Sequence, residues 1–214
     1  MKRAISSIVL AAISLAGGAG VALAATPATA VETYRVIACA AERPASQLRK
    51  VLDERDPAAV ARATAMLDGV NRCQLGSHVR DADEVTLISG DGAAIRGMIA
   101  EAYLKRGKIA ASLTSVSPQP TYDRDWYAVT GRPRPLDEMA TCVADSDPSG
   151  ISRLIDTEYG STGQSAAIKA LVPSLGPCLG RNYQLNANPM AIRSALAEAL
   201  YHRTFDPAKT VQTN

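Results

Sequence analysis

An all-α fold is predicted, built as two tandem, pseudo-equivalent helical units of about three helices each, every unit closed by one disulfide. Three observations carry this expectation. The chain is 47% apolar but only 4% aromatic, with one Phe (Phe205) and one Trp (Trp126). Ala, Leu, Ile and Val must therefore fill the core, which suits closely packed helices better than an aromatic-rich β-sandwich. The stretches AIRGMIAEAYLKR (residues 94–106) and AIRSALAEALYHR (191–203) agree at seven of thirteen positions, a spacing of 97 residues apart. Such self-similarity is the mark of an internal duplication. Finally, Cys39, Cys73, Cys142 and Cys178 fall so that each copy holds one cysteine early and one ahead of its repeated helix.

The elements follow in chain order. Met1-Lys2-Arg3 precedes an apolar run from Ala4 to Leu23, and Ala22-Leu23-Ala24 is an A-x-A exit. A positive start, an apolar stretch and a small-residue exit predict a secretory signal peptide over residues 1–24. Ala28-Thr29-Ala30 offers a second cleavage point, after Ala30. A membrane-spanning helix fits less well, because Gly17, Gly18 and Gly20 interrupt the run and no positive stop-transfer cluster follows.

Unit one is expected over residues 25–107. A short helical turn carries Cys39, a first helix runs from about Pro44 to Glu54, and a second from about Pro57 to Gln74. Asp56 caps that second helix, and Val60, Ala63, Leu67 and Val70 form its inner stripe. A polar insertion, Ser77–Glu84, has no counterpart in unit two. Val85-Thr86-Leu87-Ile88 is a short candidate strand. The closing helix follows Asp91 and places Ile95, Met98, Ile99, Ala102 and Tyr103 on one amphipathic stripe.

Residues 108–136 are a linker holding Pro118, Pro120, Pro133 and Pro135, and also the densest aromatic cluster, Tyr122, Trp126 and Tyr127. Unit two, residues 137–214 with a short C-terminal tail, repeats the order. A turn carries Cys142, a first helix spans about Pro148 to Glu158, and a second spans Gln164 to Val172, cut short by Pro173 and Pro177. Tyr183-Gln184-Leu185 matches the candidate strand. The last helix has Asn188 as N-cap and Pro189 at its first position.

Cysteine usage fits an exported chain, and the spacing has no C-x-x-C and no zinc-ligand pattern. We favour Cys39–Cys73 and Cys142–Cys178, since an ancestral single unit held one such pair. These bonds close separations of 34 and 36 residues, each stabilising by about 3–4 kcal/mol in the chain-entropy model. A redox role would call for an exposed, low-pKa thiol, which no motif supplies.

Charge excludes some functions. Lys2 and Arg3 leave with the signal peptide and no acid does, so 23 basic residues fall to 21, level with 21 acidic ones. A neutral chain without a basic block is a poor nucleic-acid binder and has no polybasic membrane patch. No stable membrane anchor is expected after cleavage.

No cofactor or metal site is expected. Neither His78 nor His202 adjoins a G-x-S-x-G serine. His202, four residues after Glu198, makes a helix-surface pair, as Lys105 does after Glu101. Arg96/Arg193 and Glu101/Glu198 are identical in both copies. They invite a duplicated polar site, but five residues turn about 140° around a helix, so an Arg and a Glu of one copy do not face each other. Anchoring a carbonyl or bridging to a neighbouring helix is the plainer reading. Asp81, Asp83 and Glu84 lack calcium-loop spacing, and Gly90-Asp91-Gly92 lacks a P-loop lysine. Asp123-Arg124-Asp125-Trp126-Tyr127 is the remaining distinctive stretch. Arg124, Trp126 and Tyr127 form a candidate binding surface, such residues being enriched at hot spots; we favour the competing reading that Trp126 plugs the seam between units.

The expected function is that of an exported protein, periplasmic or secreted, acting non-catalytically as a structural, binding or interaction module, with another exported protein as partner. The alternatives are a periplasmic hydrolase with its site between the copies, and a small stress or chaperone-like protein that loosens at mildly acidic pH.

Overall fold

A computed structural model describes residues 27–42, 48–59, 61, 92–107, 113–180, 183–185 and 187–206. The predicted signal peptide, Cys73, most of the Pro57–Gln74 helix, the Ser77–Glu84 insertion with His78, the Val85–Ile88 segment and the Asp91 cap lie outside them. The described residues are all helical or irregular, with no strand, and Tyr183–Leu185 is irregular as well.

Helix α1, Pro27–Ala41, buries Ala30, Thr33, Ile37 and Ala41, a helical stripe. Its exposed face carries the Glu32–Arg35 pair, and Arg106 Nη1 donates to the Ala41 carbonyl at its end. Helix α2, Leu48–Asp53, buries Leu48, Val51 and Leu52, and Arg55 donates to the Leu52 carbonyl behind it. Residues 57–59 start a further helix, where the Asp56 side chain accepts the Ala58 N–H at 3.0 Å, as its capping role predicts. Helix α3, Gly92–Gly107, is the closing helix of the first half.

The next helix starts ahead of residue 137. Helix α4 spans Arg134–Ser146, with Pro135 in its first turn. Asp147 caps α5, Pro148–Ile155, by accepting the Gly150 N–H at 2.8 Å. Ser161 caps α6, Thr162–Cys178, and Asn188 caps α7, Pro189–Phe205, by accepting the Ala191 N–H at 2.9 Å. Cys39 and Cys142 sit on full helices, α1 and α4, not on short turns. Helix packing supplies what a thin local pattern hides: α1 lies on α3 and α4 lies on α7.

Helix α6 runs six residues past Val172, where Pro173 was expected to end it. A helical proline lacks a donor and crowds the carbonyl four residues back. Here that side faces solvent, with Val172 56% exposed, while Leu171 and Leu175 are buried. The end of α6 is pinned to α4 by a Cys142–Cys178 disulfide, Cα to Cα 5.6 Å. Packing and the bond outweigh the local preference.

The core is organised around α3 and α7, which cross each other and are covered by the other helices. Neither is amphipathic. Every residue from Ala94 to Ala102 is buried, as is every residue from Ile192 to His202. No described helix is long and apolar enough to cross a membrane.

Candidate functional site

The two central helices meet at Gly97 and Ser194, which occupy equivalent places in the repeated stretch. A Cβ on Gly97 would overlap the Ser194 Cα, so glycine is required for the approach. That approach brings together the charges the repeat retains. Arg96 of α3 pairs with Glu198 of α7, Nε to Oε1 2.8 Å. Reciprocally, Arg193 of α7 pairs with Glu101 of α3, Nε to Oε2 2.9 Å and Nη2 to Oε1 2.8 Å. All four side chains are at most 1% exposed. The bridge to a neighbouring helix is therefore realised, each arginine finding the glutamate of the other stretch.

Each arginine also anchors carbonyls. Arg96 donates to the Val51 carbonyl in α2. Arg193 donates to Ile155 O at 3.0 Å and Thr157 O at 2.7 Å, at the end of α5, and to Gln164 Oε1. Each guanidinium thus fastens the end of a short helix to the central pair.

A third arginine comes from the segment read as linker. Gly131, at φ +73°, turns the chain so that Arg132 points inward. Arg132 reaches Glu198 Oε2 at 2.6 Å, Asp137 Oδ1 at 2.7 Å and the Ala93 carbonyl at 3.3 Å. Thr130 Oγ1 donates to the other Asp137 oxygen at 2.6 Å. Burial pushes the Glu198 carboxyl up, but Arg132, Arg96 and His202 outweigh it and hold it well below the usual carboxylate range. Burial opposes the charged form of Arg132 also; Glu198 and Asp137 overcome it and raise its pKa. For Asp137, burial wins over Arg132 and raises the carboxyl.

The residue four places after each glutamate differs between the stretches. Lys105 Nζ lies 2.9 Å from Glu101 and 4.9 Å from the centre of the Tyr34 ring. Tyr159 donates its hydroxyl to Glu101 at 2.9 Å, and the Arg193 guanidinium lies 3.9 Å from the Tyr159 ring centre. In the place of Lys105 stands His202, which is 5% exposed and stacks on Trp126, 4.6 Å between ring centres. His202 Nδ1 is 3.1 Å from Asp206 Oδ2 and Nε2 is 3.7 Å from Glu198 Oε1. The solvated helix-surface pair expected at Glu198 and His202 is corrected: both are core residues, because α7 is enclosed on all sides. Glu101 is equally buried, and only Lys105 reaches solvent.

Beside the Trp126–His202 stack lies a small pocket lined among others by Arg55, Arg124, Arg203 and Asp206, with room of about 20 Å³. That admits roughly one water. Its cations have work elsewhere: Arg203 bonds the Ala144 and Asp145 carbonyls, and Arg55 bonds the Leu52 carbonyl and lies 3.5 Å from Asp206. His202 Nε2 is a buried nitrogen with no hydrogen-bond partner among the described residues. No group of residues suited to hold a metal ion occurs among the described residues.

The sequence-predicted surface residues Arg124, Trp126 and Tyr127 are 9%, 4% and 8% exposed. Tyr127 donates to Thr141 Oγ1 at 2.8 Å and packs edge-on to Trp126, and burial raises its phenol. Their segment is fastened to the second half, with Val116 N–H donating to Asp145 O at 2.8 Å. Of the four cysteines, Cys142 and Cys178 are joined and Cys39 is not a free thiol. Sequence reasoning missed Arg132, Asp137 and Tyr159. The only signal was the Gly131 turn ahead of Arg132, inside a stretch whose prolines suggested an unpacked linker.

Compared with models of protein families, with curated proteins and with solved structures, the chain matches none.

Proposed function

We propose that this is an exported protein of the periplasm or extracellular space that acts through its surface as a structural, binding or interaction module. Two copies of one helical unit make it up: residues 25–107 and about 134–214, joined by the strap before Arg134. The observation that carries the reading is the use made of the repeated polar residues. Arg96, Glu101, Arg193 and Glu198 are all buried in holding α3 to α7, which is a scaffold's use of charge. The adjoining pocket, with room for about one water, supports the same reading over a hydrolase.

Export is supported by the A-x-A exit at Ala22–Ala24 and the disulfide. Cleavage after Ala24 leaves α1 whole; cleavage after Ala30 would remove its first turn and the buried Ala30 side chain. With Cys142 and Cys178 joined, Cys73 is the remaining partner for Cys39 within the chain. A partner would be met in the same compartment, and nucleic acid is disfavoured by the neutral charge of the mature chain.

The test is an intact mass of protein recovered from the periplasm, with a non-reducing peptide map. The expected mass starts at Ala25 and lacks four hydrogens, and the map joins Cys39 to Cys73. A chain that keeps Met1 overturns export. A panel of chromogenic esters, phosphoesters and peptides should show only background hydrolysis; turnover that His202→Ala abolishes overturns the non-catalytic reading.

A further inference from the structure

We infer that the α3–α7 face is a two-way interface, able to join the first unit of one chain to the second unit of another, so that the partner it fits is a second copy of this chain in a closed, exchanged dimer. The inference rests on reading the chain as two fused copies. A twofold interface is one in which residue i meets j and j meets i. Arg96 with Glu198 and Glu101 with Arg193 have that reciprocity, at positions equivalent in the two stretches. The contact is therefore of the kind that assembles separate subunits, here carried within one polypeptide.

The same face selects which units can meet. A Cβ at position 97 would overlap the Ser194 Cα, so two second units, with serine opposite serine, cannot cross as closely as α3 and α7 do. The charges are completed only in the mixed pairing. Tyr159 of the second unit donates across to Glu101 of the first, and Arg132 reaches from beside α4 to both Glu198 and the Ala93 carbonyl. A first unit meeting a second unit, within or between chains, satisfies every one of these groups. Exchange then makes no new contact. The balance is set by concentration, with the tethered arrangement favoured until free chains approach the effective concentration of the tether, about millimolar.

Two full-length variants test this. Glu101→Arg sets two guanidiniums against each other across the face, and Arg193→Glu sets two carboxylates together. Each alone should unfold at a lower temperature than the parent. Refolded together, they can exchange units. The first unit of the Arg193→Glu chain then meets the second unit of the Glu101→Arg chain in the native pairing, and the other face regains opposite charges. Light scattering should give a particle of twice the chain mass, and native mass spectrometry one chain of each kind, at least tenfold over either like pair. A mixture that behaves as the sum of its parts overturns the inference, as does an undiminished melting temperature in either variant.

The double variant in one chain separates this from the underlying reading. If it regains a stable monomer while the mixture makes no mixed dimer, the copies join only within a chain and the two-copy reading survives. If neither recovers, a carboxylate facing the Ile155 and Thr157 carbonyls has broken the second unit itself, and the parent chain decides the inference. The parent chain gives an independent measurement: its dimer fraction after refolding should rise at least fivefold between micromolar and millimolar protein, and a constant monomer across that range overturns the inference.

Discussion

Glu198 shows how much one side chain can hold. It is fully buried and takes Arg96 on one oxygen and Arg132 on the other. Removing one partner of a buried pair leaves an uncompensated charge, which costs about 3–5 kcal/mol. Glu198→Gln should lower stability by that amount in urea unfolding at neutral pH. The pH dependence follows from its depressed pKa. The folded value lies below the ordinary 4.5, so the unfolded chain takes up the proton first as the pH falls. The stabilisation is present in full above about pH 4.5 and is lost as the pH drops below it. The gap between parent and variant should therefore narrow only in strong acid; a gap already closed at pH 5.5 would contradict the assignment. Comparing the two chains cancels Asp145, whose raised carboxyl acts with the opposite sign and does not involve Glu198. This carboxylate gives no support to a chaperone-like loosening in mild acid. Glycines supply a second comparison at the same scale. Gly97→Ala, which overlaps the facing helix, should cost about 1–3 kcal/mol. Gly176→Ala in α6, where a Cβ meets no group beyond its chain neighbours within 4 Å but precedes Pro177, whose ring crowds it, should change stability by less than about 0.5 kcal/mol. Both shifts are read from urea midpoints.

At the scale of elements, the sequence was most informative where local rules act and least where packing decides. The caps at Asp56 and Asn188 and the proline at position 189 were legible because they depend on neighbours a few residues away. The repeated helices were recognised, but their apolar stripe understated them: Glu198 and His202 read as a helix-surface pair, whereas the opposing helix buries Glu198 against Arg96. The full length of α6 was hidden because its prolines break a helix locally, whereas α4 and the disulfide hold it in the fold. The segment before α4 is the largest difference. Its prolines suggested a spacer, yet it delivers Arg132 to the core and lays Trp126 on His202. Trp126→Ala should accordingly destabilise the fold by about 3–5 kcal/mol, seen as a lower thermal midpoint. An unchanged midpoint would return Trp126 to the role of an exposed anchor.

For the molecule as a whole, the all-helical class was legible from composition, because a chain with few aromatic residues has to make most of its core from short aliphatic side chains brought close. The correspondence between the stretches was legible too, since it is written in identities at a fixed spacing. How the stretches meet was not: no periodicity within one helix tells that an arginine will find its glutamate 102 residues away. The crossed pairing also bears on how such a chain can change. Within a single helix, an arginine and a glutamate are free to drift together or be lost together. Here the two members of each pair sit in different halves, so a substitution in one half is judged by the unaltered other half. Neither stretch can wander alone, and any lasting replacement has to arrive as a matched couple at distant points of the chain. The arginine of each AIR triplet and the glutamate of each AEA triplet are the residues this pairing ties together.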